Sequence, residues 1–304
     1  MIVHDLQALT TTITPVKVHE AIETENILFH ALLQKPHFCP SHRSPFGLAV
    51  SVTGRSSLRV NRKLHHIDAG HFFVVNKGAQ LGIEMDTPST KETLLLFFKK
   101  KQLMHIANTY TIEQSKLIDD PTASNNYEEL FIERIYPQDN QTTQLFGMLK
   151  QLNNQNILET DLQIDNLVYA ILDYLFLLNK LVGSEIDTLK YSKASTRREL
   201  YKRLHAARDF MDSSYSQKLT LDDIADVACI NTYYFLRLFK EHFHQTPHAH
   251  LTAIRLQHAA DLLANTDSSV TDICNTVGFE SSGSFSNLFK QYYGVPPTKY
   301  RIKQ

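Results

Sequence analysis

The sequence predicts a two-domain α+β protein, with a β-barrel and accessory helices in its N-terminal part and an all-α domain at its C-terminus. Three observations carry this. Apolar residues alternate with a period near 2 between about residues 26 and 98. Beyond residue 100 the period shifts towards 3.6. From residue 197 onward a helix-sized pattern occurs twice, Thr220 and Ser269 standing 49 positions apart and Phe235 and Phe285 standing 50 apart. With 304 residues, 42% of them apolar, the chain can bury two cores. Ten Gly and ten Pro exclude a fibrous or low-complexity protein.

In the first region, strands are expected at Ile27–Leu33, Phe46–Thr53, Leu58–Val60, His71–Val75, Leu81–Ile83 and Thr93–Phe98, separated by Gly, Pro and polar turns. The unit from Gly54 to Asn61, followed by Ile67 to Val75, has the spacing of a β-meander and resembles the double-stranded β-helix of cupin-like domains. Residues 1–100 are therefore expected to form a cupin-like barrel, and 101–190 a helical accessory and dimerisation region.

Helices are expected at about 100–108, 141–153 and 160–183. In the last, Ile164, Val168, Ile171, Leu175, Leu178 and Val182 are spaced 4, 3, 4, 3, 4, the seam of a helix that packs against another. That seam fits either a core helix lying on the barrel or a homodimer interface, and its spacing does not choose between them. The most apolar stretch, Leu167–Val182, is interrupted by Asp173, Asn179 and Lys180 and falls short of the roughly 20 residues a bilayer requires, so no membrane partner is expected. Cys39, Cys229 and Cys274 are too few and too scattered for a disulfide framework, and no basic-then-apolar leader opens the chain; a cytoplasmic protein is expected.

The overall charge, 31 Lys+Arg against 32 Asp+Glu, argues against nucleic acid at first sight. The halves differ, however. Residues 1–193 hold 18 basic and 21 acidic side chains, net −3, and residues 194–304 hold 13 and 11, net +2, with six further His.

The duplicated pattern can be read physically. Thr220 and Ser269 are helix N-cap residues, each with Asp three positions later. Each opens a short helix burying Ile224 and Ala228, or Ile273 and Val277, and ending at a tight turn where Gly278 supplies a positive φ in the second copy. A second helix follows, burying Phe235, Leu238 and Phe239, or Phe285, Leu288 and Phe289. Two short helices joined by such a turn form a helix-turn-helix whose second helix fits a DNA major groove. Between the copies, Leu251–Leu263 is strongly helix-forming and acts as a spacer. Successive faces of the major groove lie about 34 Å apart, so two tethered readers need a fixed separation.

Residues 196–301 resemble the DNA-binding domain of the AraC/XylS family of transcription regulators. The resemblance rests on Gly278-Phe279, Phe285-Ser286, Phe289-Lys290, Gly294, Pro297 and Tyr300-Arg301, and on Arg255-Leu256, Ala259 and Leu262-Leu263 in the spacer. It departs at Cys229 and His244, where glycines are common in the family, and at Asn287, where a basic residue is frequent. It implies a linker at 191–196 and a domain at 197–304, with motif one at about 220–243, the linker helix at about 247–263 and motif two at about 269–293.

Transferred onto this sequence, the family's recognition positions fall on Thr232, Tyr233, Leu236 and Arg237, and on Ser282, Gly283, Ser284, Ser286 and Asn287. Helical periodicity independently exposes them. Arg237 is expected to read a guanine edge and Asn287 an adenine edge; Lys240, Lys290 and Arg301 are expected phosphate contacts.

Six His lie between residues 30 and 71 (His30, His37, His42, His65, His66, His71), which brings a cupin-type metalloenzyme into consideration. No His-x-His occurs among these six, and His37-x-Cys39-x-x-His42 has no fourth ligand in local reach, so no metal, cofactor or enzymatic activity is expected. A small-molecule effector in the barrel, with His42, Arg43 and Arg55 as polar lining, fits the resemblance. The expected protein is a homodimeric regulator that binds promoter DNA, with RNA polymerase as a further partner if it is an activator; the sequence does not choose between activator and repressor. A constitutive regulator whose barrel is only a scaffold is the alternative.

Overall fold

Alternation over residues 26–98 produces eight of the ten strands in the computed structural model, which describes residues 2–5, 20–33, 37–85, 91–111, 131–154 and 161–302. The strands are β1 (Ile2–Asp5), β2 (Ile27–Leu33), β3 (His37–Arg43), β4 (Gly47–Thr53), β5 (Arg55–Val60), β6 (Lys63–Asp68), β7 (His71–Val75), β8 (Gln80–Met85), β9 (Lys91–Phe97) and β10 (Ile135–Pro137). They form a six-stranded sheet ordered β1-β2-β9-β4-β7-β10 and a four-stranded sheet ordered β3-β8-β5-β6. All pairings are antiparallel except β1 with β2.

Side chains of one parity from both sheets meet in a shared core. Ile27, Phe29, Ala49, Phe73, Leu95 and Phe97 come from the larger sheet, and Cys39, Leu58, Val60, Ile67, Leu81 and Ile83 from the smaller. The opposite parity of the larger sheet is apolar too, as expected of a sheet covered on both faces. Leu28, Leu48, Val50, Phe72, Val74, Leu94 and Leu96 are all buried there.

The helical layer contains α1 (Lys100–Thr111), α2 (Asn140–Asn154) and α3 (Asp161–Asp187). Phe72 meets Phe146 of α2 edge-on. Glu92, 6% exposed on β9, holds this layer down by accepting from His30 and from Lys150 of α2, both at 2.8 Å.

Helix α3 runs 27 residues, longer than the sequence reading allowed, and by length and composition it could cross a bilayer. One face is sealed against α1 and α2, with Phe176 stacked near Tyr110 and edge-on to Phe131. Val168, Ile171, Leu175 and Val182 of the seam are at most 1% exposed. This corrects their assignment as dimer contacts: these four are consumed inside their own unit, and Ile164 and Leu178 are only half-buried.

Residues 1–190 and 191–304 form two compact units. The second is all helical: α4 (Ala194–Ser213), α5 (Leu221–Val227), α6 (Thr232–Phe243), α7 (Pro247–Asn265), α8 (Val270–Thr276), α9 (Ser282–Tyr293) and α10 (Pro297–Ile302). It has two apolar clusters. One joins Leu204, Ala207 and Met211 of α4 to Ile224, Phe235, Leu238, Phe239 and Leu251; the other joins Leu256, Ala259 and Leu263 of α7 to Ile273, Val277, Phe285 and Phe289. Helix α7 thus contributes its first turns to one cluster and its remainder to the other.

Candidate nucleic-acid interface

Each helix-turn-helix is assembled by local capping. In motif one the Thr220 hydroxyl accepts from the Asp223 amide, and the Asp223 carboxylate accepts from the Thr220 amide, a reciprocal capping box. The Thr220 hydroxyl and amide hold the Asp223 carboxyl below its usual range. In motif two Ser269 caps the Asp272 amide in the same way, and its hydroxyl donates to the Asp272 carboxylate at 2.6 Å.

The turns between helices need a left-handed residue. Gly278 supplies it in motif two at φ 89, whereas in motif one Cys229 adopts φ 51 in spite of its Cβ. The recognition helices end alike: His244 at φ 56 and Gly294 at φ 77 are both left-handed C-caps. The two departures from the family pattern therefore keep the backbone geometry of glycine.

Helix α6 begins at Asn231, whose side chain caps the Tyr233 amide, and it buries Phe235, Leu238 and Phe239. Its opposite face carries Tyr233 (75% exposed), Tyr234, Leu236, Arg237 and Lys240. The Arg237 guanidinium lies 4.9 Å from the centre of the Tyr234 ring. Thr232 is half-buried and donates its hydroxyl proton to Asp222 at 2.6 Å, tying the start of the recognition helix to α5.

Helix α9 begins at Ser281, which caps Ser284, and it buries Phe285 and Phe289. Ser282, Gly283, Ser284, Asn287 and Lys290 are exposed, and Ser286 is half-buried. The outward surface of α6 is thus aromatic and cationic, while that of α9 is short and polar. Lys240 and Lys290 sit in the last turns of their helices, where the macrodipole favours a cation. Arg301 is half-buried and donates to the Ser268 carbonyl at 2.5 Å, closing α10 over the entrance to motif two. Part of its donor set is therefore committed inside the domain, which leaves Lys240 and Lys290 as the exposed phosphate candidates.

The sequence reading overlooked Tyr234, although its i, i+3 spacing to Arg237 was visible. It also overlooked the cations of α4, of which Arg203 donates to the carbonyl of Cys229 at the turn of motif one.

In the N-terminal unit, Arg55 alternates with the inward Ser56 and Leu58 and makes a bidentate pair with Asp68, at 2.7 and 3.1 Å. This corrects its assignment as barrel lining. His42 is half-buried with Nδ1 bonded to the Pro40 carbonyl, and Arg43 is exposed at the end of β3. Hydroxyls are among the polar groups that face inward: Ser56 bonds Ser51 at 3.3 Å and Thr93 at 2.6 Å, all three buried. The Cys39 Sγ lies 3.9 Å from the His42 Nδ1, and burial pushes the Cys39 thiol up. The side chain of His37 lies outside the described residues; among those described, no three His, Cys, Asp or Glu side chains are grouped to hold a metal.

Residues 224–303 match the model of a helix-turn-helix domain family. The melibiose operon regulatory protein of Escherichia coli is 24% identical over 95% of this chain and 91% of its own length. The C-terminal unit is an AraC-type DNA-binding domain. The lactose operon transcription activator of Staphylococcus xylosus is 21% identical over 84% of this chain and 82% of its own. The transcriptional activator RhaS of an Enterobacter species is 32% identical over 33% and 36%. That last match covers about the share of this chain that the DNA-binding unit occupies, and double-stranded DNA is its partner.

Proposed function

We propose that this regulator recognises promoter DNA with both recognition helices, α6 choosing the sequence and α9 chiefly positioning the protein. The observation that carries this is the contrast between the two outward faces: Tyr233, Leu236 and Arg237 can reach base edges, whereas Ser282, Gly283 and Ser284 allow close approach to the backbone. Selection from a random DNA pool tests it. Recovery of two submotifs about one helical turn apart, the one under α6 better defined, is expected; no enrichment at moderate salt overturns it.

The N-terminal sandwich, on this reading of a cupin-like fold, takes a small saccharide. Support comes from the melibiose and lactose operon names of relatives that align over most of the chain. The chain then acts as a cytoplasmic activator, as a dimer that contacts RNA polymerase. A panel of mono-, di- and trisaccharides in thermal unfolding tests the effector, since a ligand that binds only the folded state raises the midpoint. The apolar interior favours a second reading, a sandwich that only holds two copies together, for which no sugar shifts the midpoint. For the dimer we infer the opposite face of α3, where Leu177 and Leu181 are 46% and 56% exposed.

A further inference from the structure

Motif one and motif two are joined by α7, and helix α7 fixes their separation. Nineteen residues at 1.5 Å each give about 28 Å of rigid rod. A single rod does not by itself fix how the second motif is rolled about its far end. Simultaneous docking in two major-groove faces requires that angle to be set as well, because one base pair of extra spacing displaces a site by about 3.4 Å and rotates it by roughly a tenth of a turn.

A second connection is present, outside both motifs. The chain between α4 and α5 passes over the middle of α7, where Arg255 donates Nε to the Tyr215 carbonyl at 2.7 Å and Nη2 to the Gln217 carbonyl at 2.8 Å. The Tyr215 ring stacks on His258 of α7, with centroids 4.0 Å apart and planes 7° from parallel. Tyr215 packs against both apolar clusters. The turn of motif two leans on the same segment: a Cβ on Gly278 would lie 2.8 Å from the Ser216 carbonyl oxygen and 2.9 Å from that of Tyr215. Lys218 then pairs with Glu280 at 3.0 Å, just past that turn, and the Arg255 guanidinium lies 5.8 Å from the Phe279 ring.

We propose that residues 214–218 form a latch that sets the angle between the two recognition helices, with Arg255 as its positioning residue, so that contacts outside either motif select the spacing of the two DNA submotifs. This rests on the reading that both motifs dock on one DNA. The planar fork of Arg fits two neighbouring carbonyls, and a lysine ammonium cannot reproduce that arrangement. Without the latch each motif keeps its own capping and core, but the second docks as a loosely tethered reader. The benefit of linkage is then spread over several spacings instead of concentrated on one.

The test uses the full chain and the DNA recovered by selection, with derivatives carrying one base pair inserted or deleted between the submotifs and one with the second submotif scrambled. The intact protein should lose about tenfold or more in affinity on insertion or deletion. Arg255→Ala should bind the recovered spacing roughly tenfold more weakly, treat the three spacings alike within about twofold, and bind the scrambled DNA as the intact protein does. Arg255→Lys, which keeps the charge and safeguards against a folding failure of the alanine variant, should fall between. Spacing discrimination undiminished in a folded Arg255→Lys or Arg255→Ala protein, or a loss equal on all four DNAs, overturns the latch. Absence of any spacing preference in the intact protein overturns the two-motif reading on which it stands.

Discussion

The guanidinium of Arg237 lies over the ring of Tyr234, one turn earlier on the same exposed face of α6. An exposed cation–π contact of this kind is worth about 0.5–1 kcal/mol, and it narrows the directions in which a flexible arginine points. Arg237→Ala should erase preference at the one or two base pairs it reads, at about 1–3 kcal/mol of discrimination. Tyr234→Ala should blunt the same positions by a smaller amount and Tyr234→Phe should not. Binding measured across a library of single-base operator variants checks this, and a uniform loss over all positions would count against it.

Lys290 ends α9 on the exposed side and carries no base-reading geometry. Lys290→Ala should weaken every DNA alike and reduce the slope of log affinity against log salt by about 1. Salt titrations of the variant on the selected operator and on a scrambled duplex measure both effects.

The two faces of α3 separate stability from assembly. Leu175 is fully buried, and Leu175→Ala should cost about 2–5 kcal/mol in the N-terminal unit. Leu181 is 56% exposed, so Leu181→Glu should leave the unfolding midpoint almost unchanged and shift the protein to monomer. Sedimentation alongside thermal unfolding distinguishes them; a Leu181→Glu dimer would move the interface elsewhere.

His65 packs on Phe73 with ring centroids 4.7 Å apart, and burial, with Lys63 and His66 nearby, lowers its pKa from 6.5 to about 4. The unfolded chain therefore takes up this proton before the folded one does. The stability His65 permits is complete above about pH 6.5 and declines as pH falls towards 4, levelling off below. His65→Gln should flatten that part of the curve, which denaturant titrations at pH 7, 5.5 and 4.5 would reveal.

Elements with strong periodicity were legible in the sequence, and those defined by partners were not. Strands β2, β4, β7 and β9 have long apolar runs because both faces of their sheet are covered. β3 escaped notice because Pro40 and its polar neighbours imitate a loop; a shift of register between Cys39 and His42 accommodates them within the sheet. Helix α4 was invisible because its buried face, Tyr201, Leu204, His205, Ala207 and Met211, is broken up by charges that only packing makes irrelevant. At the DNA-facing surface, both recognition helices could be read from their duplicated phenylalanines. The lining role given to Arg55 could not be checked that way, since its partner Asp68 follows from strand pairing.

The carboxylates that cap the motifs have a consequence for how the protein searches a chromosome. Asp222 and Asp223 open α5, Asp272 opens α8, and Asp222 reaches the first residue of the recognition helix itself. Negative charge beside the reading face repels phosphates indiscriminately, so residence on random DNA is short. Only a site that engages the side chains of α6 offsets the repulsion. The capping carboxylates thus oppose phosphate contact on any DNA alike, and leave discrimination between sequences to the side chains of α6.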